Sequence, residues 1–312
     1  MSAPDASVES RFEGMTDRQL LREEQAIARR FLGRVPWEMV AWGIGNFLVW
    51  LSLWPLVLTG VLPLWLGFVL STICCALAYL PSHEAQHSII AAEGEKLRWL
   101  NQLVGHVSTI PLVFPYGIAW ITHRMHHAYA NDPERDPDIG SQGGSWWQGA
   151  YNSLRERQPM NDGMYAKTLR ESDDPNRDRA FVEGLVLKLV HFGTLTVFAW
   201  SGYAIEAALL WWLPRHIGFM YLITFLSWAP HHPMMETGRY RDTRAWQSPV
   251  GTVLSLWMEF HIVHHLYPKI PLLDTPKAWR ALEPILIARG IRDDRGVAWA
   301  GEDVSKPVEE AA

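Results

Sequence analysis

Ten of the thirteen histidines in this 312-residue chain fall into four short groups: His83-x3-His87, His123-x2-His126-His127, the pair His231-His232, and His261-x2-His264-His265. On a helix, residues three and four apart share a face, so His123 projects beside both His126 and His127. Imidazoles that converge in this way bind metal ions. Ten at such spacings exceed what one ion uses, because a mononuclear site takes three or four protein imidazoles, so two metals are implied. Imidazole suits zinc, copper, nickel and iron alike, and ligand type does not choose among them. His106, His191 and His216 stand apart from the groups and are read as structural. Cys74 and Cys75 are the only cysteines. Adjacent in an apolar run, they point apart on a helix and serve as small core residues, which leaves the chain without a cysteine-ligated iron–sulfur module of its own.

The elements that carry these histidines follow from hydropathy. No Asp, Glu, Lys or Arg occurs between Glu38 and Glu84, and a helix needs roughly 20 apolar residues to cross a bilayer, so this stretch accommodates two crossings. Met39–Leu58 and Leu64–Ser82 are the expected spans. The short uncharged turn Thr59–Pro63 joins them as a hairpin, with His83 and His87 just beyond. From Leu97 to Trp120 the apolar sequence is broken by Pro111, Pro115 and Gly117, which suits an interfacial or re-entrant segment. Gly140–Arg179 is polar and stays in water. A second hairpin is expected at Leu185–Leu210 and Gly218–Pro230, turning near Trp211–His216 and returning His231 and His232 to the starting side. Trp37, Trp50, Trp54, Trp65, Trp211 and Trp212 flank apolar runs, as indoles at membrane interfaces do.

The fold class is therefore an all-α integral membrane protein: four transmembrane helices in two hairpins, with a helical cap carrying the histidine groups. The Arg-rich segments lie with the histidines, which the positive-inside rule makes cytoplasmic. The chain reads as a single membrane-embedded catalytic domain. It comprises an amphipathic N-terminal segment (1–38), a first hairpin (39–82), an interfacial part (83–184), a second hairpin (185–230), a cytoplasmic part (231–300) and a disordered acidic tail (301–312). Thr16-x-x-Gln19 is a capping box opening a helix whose Leu20, Leu21, Ile27, Ala28, Phe31 and Leu32 form one apolar stripe. That helix either lies on the membrane surface or packs on the cytosolic part. Met1–Gly14 has no apolar core of a signal peptide, so no cleaved signal is expected.

The order H-x3-H, H-x2-H-H, a histidine ending the last span, then H-x2-H-H, on two hairpins, resembles the membrane fatty acid desaturase and hydroxylase superfamily. Asn131-Asp-Pro-Glu-Arg-Asp-Pro-Asp138 and His264-His-Leu-Tyr-Pro268 add to the resemblance, which spans roughly Leu80 to Pro276. It implies a non-haem centre of two irons that uses O2 to attack an unactivated C–H bond of a lipid. The implied ligands are His83, His87, His123, His126, His127, His231, His261, His264 and His265, and no catalytic residue is expected beyond them. Pro230-His231-x-Pro233 is similar to the Pro-His-Arg-Pro segment of bacterial carotene hydroxylases and ketolases, which favours His231. His232 stands where that segment has arginine, so it is the alternative ligand. Asp132, Asp136 and Asp138 are candidates for carboxylates that accept the second N–H of a ligating histidine and so fix its tautomer.

Two other readings compete. His83-Glu84-x-x-His87 matches the H-E-x-x-H of zinc metalloproteases, here at the end of a membrane helix; it leaves most of the clustered histidines idle. A metal carrier would use polar residues near the bilayer midplane, whereas these histidines lie at or beyond the helix ends. An O2-using site without a nucleotide-binding or iron–sulfur module needs an external electron donor, a ferredoxin or a cytochrome with its reductase. Arg177, Arg179, Arg239, Arg241 and Arg244 are the candidates for steering an acidic donor. The bilayer and a lipid substrate, acyl or carotenoid, are the remaining expected partners, in a bacterial inner membrane; no nucleic acid is expected.

Overall fold

The computed structural model describes residues 12–156, 164–247, 249–291 and 294–295. The acidic tail at 301–312 and most of the N-terminal stretch 1–14 lie outside the described residues. The helices are α1 (Asp17–Ala28), α2 (Trp37–Leu58), α3 (Leu64–Gln86), α4 (Arg98–Ser108), α5 (Tyr116–Tyr129), α6 (Trp146–Glu156), α7 (Met164–Glu171), α8 (Arg177–Trp200), α9 (Ala204–His231), α10 (Pro249–Ser255), α11 (His261–Leu266) and α12 (Thr275–Ala288). A two-residue parallel pairing of Trp246–Gln247 with Asp294–Arg295 is the one strand pair among the described residues. Helices α2, α3, α8 and α9, of 22, 23, 24 and 28 residues, are long and apolar enough to cross a membrane. At 1.5 Å per residue even the shortest reaches ~33 Å, about the thickness of a hydrocarbon core.

The chain divides into two compact units, one of Met1–Gly33, Tyr129–Asn161 and Thr224–Ala312, the other of Arg34–Ala128 and Asp162–Ile223. The second unit holds α2, α3, α4 and α8, with most of α5 and α9. Small residues let its apolar helices approach closely, the usual device where lipid removes the hydrophobic driving force. A Cβ at Gly67 of α3 would lie 2.6 Å from Val57 of α2, and one at Gly218 of α9 would lie 2.6 Å from Cys75 of α3. Polar side chains add to this contact: Asn46 Nδ2 donates to the Cys74 carbonyl at 2.8 Å, and Ser71 Oγ donates to the Leu210 carbonyl at 2.6 Å. Both cysteines are free and buried. Trp50, Trp54 and Trp211, expected at membrane interfaces, are instead core residues. Their rings meet edge to face, with Trp50 and Trp211 centroids 5.1 Å apart, a geometry that the indole quadrupole favours. Trp37, Trp65 and Trp212 are the exposed ones.

The turn between α8 and α9 lies at 201–203, ten residues before the expected position. Pro214 and Arg215 look like a helix end in sequence, yet α9 runs through them. A π-helical turn, Ala208–Trp212, precedes Pro214, and its wider spacing accommodates a residue that lacks an N–H and crowds the preceding turn. Arg215 is half-buried: its Nε donates to the Leu112 carbonyl at 3.0 Å, and Trp211 Nε1 donates to the Pro111 carbonyl at 3.0 Å. These are backbone acceptors of the irregular stretch between α4 and α5, which apolar surroundings tolerate only when satisfied internally. Helix α8 keeps an almost entirely apolar, exposed surface that includes Phe181, Leu185, Leu189 and Phe192, as a lipid-facing helix does.

In the other unit, α1 opens on the expected capping box, where Gln19 Oε1 accepts the Thr16 N–H at 2.9 Å. Its apolar stripe is covered by protein. Leu20, Ile27 and Ala28 share a core with Ile262, Val263, Leu266, Trp279, Leu282 and Leu286 of α11 and α12. Glu24, in the middle of that stripe, is buried as well.

Candidate metal centre

In the unit of α2 to α5, the last turn of α3 presents His83, and His87 caps its C-terminus. Helix α5 presents His123, His126 and His127. The Nε2 atoms of His123 and His87 are 2.9 Å apart, and those of His127 and His123 are 3.1 Å apart. One ring nitrogen from each of His83, His87, His123 and His127 lies within 4.8 Å of all the others. His126 stacks on His123, with centroids 5.8 Å apart. Burial holds the His87 and His123 imidazoles well below the usual histidine range, with neighbouring imidazoles adding to the effect. Both are therefore neutral at pH 7, the state a metal ligand requires.

Backbone contacts fix the stretch between His83 and His87. The Ala85 carbonyl accepts from Asn101 Nδ2 at 3.0 Å and from the Tyr116 hydroxyl at 3.0 Å. Asn101 Oδ1 accepts the Ala91 N–H at 3.4 Å, and Ser82 Oγ donates to the Gly105 carbonyl at 2.9 Å. His106, set apart in sequence, pairs with Glu183 at 3.2 Å. Glu183 also accepts the Gly117 N–H at 3.2 Å in the first turn of α5, where a carboxylate complements the helix dipole.

In the other unit, His231 ends α9, while His261, His264 and His265 lie on α11. The His261 and His231 Nε2 atoms are 3.1 Å apart, and one nitrogen from each of His231, His261 and His265 lies within 4.8 Å of the other two. His264 stacks on His261 at 5.2 Å. His232 takes an extended conformation and stacks on Trp228, with centroids 4.5 Å apart and planes 16° from parallel. It lines a small pocket together with His231, Met234 and Met235.

Of the three aspartates singled out by sequence, Asp132 engages Arg135 at 2.5 Å and the N–H groups of Glu134 and Arg135; no histidine is among these partners. Arg135 holds the Asp132 carboxyl below the usual carboxylate range. Asp136 accepts the N–H groups of Asn131 and Asp138, each at 2.8 Å, and the Asp138 carbonyl accepts from Ser141. Asn131, at the head of the run, donates through Nδ2 to the carbonyls of Glu236 at 2.9 Å and Asp242 at 2.8 Å. The Asp242 carboxylate lies 3.6 Å from Nδ1 of His265. Asp242 thus brings a carboxylate beside a histidine, and no spacing rule in the sequence pointed to it.

The candidate donor-steering arginines are largely committed elsewhere. Arg244 is buried, donates to the Ala229 carbonyl at 3.4 Å and lies over Trp246. Arg241 pairs with Glu236, Arg177 with Asp178, and Arg239 with Glu24; Arg179 is exposed.

Imidazole nitrogens from separate helical segments, brought to about 3 Å in each unit, fit a borderline cation such as iron, and no thiolate joins them. The comparisons with known proteins agree. A family model described as fatty acid desaturase matches residues 59–295, which takes in all four histidine groups. The sn-1 acyl-lipid omega-3 desaturase (ferredoxin) of a Nostoc species is 24% identical over 251 residues, which cover 67% of this chain and 64% of that protein. An sn-1 oleoyl-lipid 12-desaturase from a Picosynechococcus species is 23% identical over 257 residues, covering 72% and 69%. The dihydrorhizobitoxine desaturase of Bradyrhizobium elkanii is 26% identical over 216 residues, covering 61% and 59%. The chain thus matches a little under two thirds of the length of the Nostoc relative. On the strength of the family model, which spans well over half of it, the chain belongs to the fatty acid desaturase family.

Proposed function

We propose that this chain is an O2-dependent di-iron oxidoreductase that introduces a double bond into the acyl chain of a membrane lipid. The observation that carries this reading is the convergence of imidazole nitrogens in each unit. His83, His87, His123, His126, His127, His231, His261, His264 and His265 would hold two irons. Bound there, iron supplies the capacity to activate O2 and to remove hydrogen from an unactivated C–H bond. The chain's own residues do the rest. Burial keeps His87 and His123 unprotonated, and the Asp242 carboxylate, 3.6 Å from Nδ1 of His265, favours Nε2 as the ligating atom. The H-E-x-x-H reading is set aside because His83 and His87 share their cluster with His123 and His127.

The four apolar helices form two hairpins in a bacterial inner membrane, with the histidines on the cytoplasmic side. Forming one double bond removes two hydrogens and two electrons. Reducing O2 to two waters takes four electrons, so two more, with two protons, come from an external donor, a ferredoxin or a cytochrome with its reductase. The ferredoxin in the name of the Nostoc relative supports this part of the reading. The test is to incubate membranes containing the chain, O2 and reduced ferredoxin with acyl lipids and with β-carotene, and to weigh the products. An acyl product lighter by two hydrogens is expected. A product heavier by one oxygen atom would make the enzyme a hydroxylase, and a carotenoid product would overturn the acyl assignment.

A further inference from the structure

Glu24 is fully buried, yet it belongs to no histidine group. Its carboxylate gathers four partners. Tyr267 donates its hydroxyl to Oε1 at 2.6 Å and Tyr240 to Oε2 at 2.9 Å. Arg289 lies 3.3 Å from Oε2 and Arg239 lies 3.6 Å from Oε1. The partners come from separate stretches of chain, and one adjoins the histidines directly, since Tyr267 follows His264-His265-Leu266. Arg239 reaches the same place, where its Nη2 donates to the Leu266 carbonyl at 3.4 Å. Arg289 turns the other way and donates to the Asp17 carbonyl at the start of α1. Both guanidinium groups lie over tyrosine rings, Arg289 at 4.5 Å from Tyr240 and Arg239 at 5.4 Å from Tyr267, which offsets part of their desolvation.

Helix α11 has six residues. A helix that short is not stable on its own hydrogen bonds, so tertiary contacts set its direction. Its N-terminal end is held by the Arg244 carbonyl, which accepts the Ile262 N–H at 3.2 Å. Its C-terminal end is held by the Glu24 cluster. We propose that Glu24 and Tyr267 are positioning residues for the metal site: the carboxylate supplied by α1 anchors the end of α11 and so sets the angle at which His261, His264 and His265 are presented. The inference rests on the reading that these histidines bind iron. It gives the N-terminal helix a part in holding the metal, although it carries no ligand.

The test compares two conservative variants that each remove one hydroxyl from the same carboxylate. Tyr267→Phe severs the link to the histidine helix, and Tyr240→Phe does not. The purified, iron-loaded full-length proteins are mixed with excess EDTA, and iron release is followed beside the thermal midpoint. One of the two irons is expected to leave Tyr267→Phe at least ~10-fold faster than the parent, with Tyr240→Phe within about twofold, at similar midpoints. Equal release from the two variants overturns the proposal, because Glu24 then secures α1 alone. If Tyr267→Phe does not fold, Arg239→Met against Arg289→Met makes the same comparison, since only Arg239 reaches the Leu266 carbonyl, and equal release there is equally fatal. A parent protein with two irons and indifferent variants sinks the positioning role alone. A parent that binds no iron sinks the di-iron reading, and this inference with it.

Discussion

The stretch from His83 to His87 and the short helix from His261 to Leu266 face the same task, holding imidazoles in fixed directions, and meet it with opposite materials. The backbone of the first hangs from neutral groups: Asn101, Tyr116 and Ser82 bond to backbone carbonyls and amides among apolar helices, with the Glu84 side chain buried between the two histidines. The second is held by charge, with Glu24, Arg239 and Arg289 at one end and Asp242 beside His265. Surroundings account for the difference. Between apolar helices an ion is expensive to desolvate, and a neutral hydrogen bond to a carbonyl is not. The N-terminal helix and the polar segments around α11 can bury a carboxylate because two guanidinium groups and two hydroxyls come with it. Neutral networks should therefore fail in small steps, whereas a charged one should fail sharply when one partner is removed.

The strongest way to break this comparison is at the histidines themselves. His123→Ala and His261→Ala should each lower bound iron and cut turnover ~100-fold or more, since a ligand is worth at least as much as its outer partners. Full iron content in either variant would remove that group from the site. Next comes the contrast of scaffolds. Glu24→Gln sets an amide in place of a fully buried carboxylate and leaves the half-buried Arg289 and the exposed Arg239 without a counter-charge, and should destabilise by roughly 3 kcal/mol, the low end for a broken buried pair. Asn101→Leu leaves neutral groups unsatisfied and should destabilise by about 1–3 kcal/mol. Denaturation of the detergent-solubilised proteins decides it; the reverse order would mean that charge is not what holds α11.

Asp242→Asn should weaken iron binding ~10-fold with little change in thermal midpoint, because it alters the partner of His265 more than the packing. An unchanged iron affinity would leave that histidine oriented by something else. His232→Ala and His106→Ala should both keep two irons and most of their activity, His232 because it stacks on Trp228 and His106 because it serves Glu183. Iron loss from His232→Ala with retention in His231→Ala would reverse their roles. The smallest effect is expected at Asp132→Asn. Arg135 holds the folded-state pKa of this carboxyl below its ordinary value. Its contribution to stability is thus present above the unfolded pKa and is lost as pH falls through the folded one. Parent and variant should differ slightly at neutral pH and converge in acid, with identical iron content; loss of iron would make Asp132 a histidine partner after all.

The histidine groups were legible because ligand spacing is local. Spacings of three and four place His123 beside His126 and His127 whatever the rest of the chain does, and α2 and α3 follow from an uninterrupted apolar run. Contacts between distant segments left no such mark. Asp242 meets His265 across 23 positions, and Asn131 reaches Asp242 across 111, distances at which no periodicity operates. Glu24 drew no reading from the sequence for a different reason. A charge inside an apolar stripe looks like an exception facing solvent, and only the tyrosines and arginines of other segments make it a core residue. At α9 the signals were real but outvoted. Pro214 and Arg215 ordinarily end a membrane helix; here a π turn takes up the proline, and the carbonyl of Leu112 takes up the charge.

That same helix contains a second π-helical stretch, Leu222–Trp228, immediately before the segment that ends at His231. A π turn holds about one residue more than an α turn, and each residue advances the helix by about 100°. Everything downstream is therefore set back by about one residue, in phase with an α-helix one residue shorter. The choice between His231 and His232 is in this sense a matter of phase, set several residues upstream of either. Deleting a single residue within 222–228, so that the stretch relaxes to ordinary α-helix, would leave His231 in the direction it now takes, because the lost residue and the lost π turn cancel. The π stretch thus absorbs a change of length in the middle of a membrane span without disturbing the histidine beyond it.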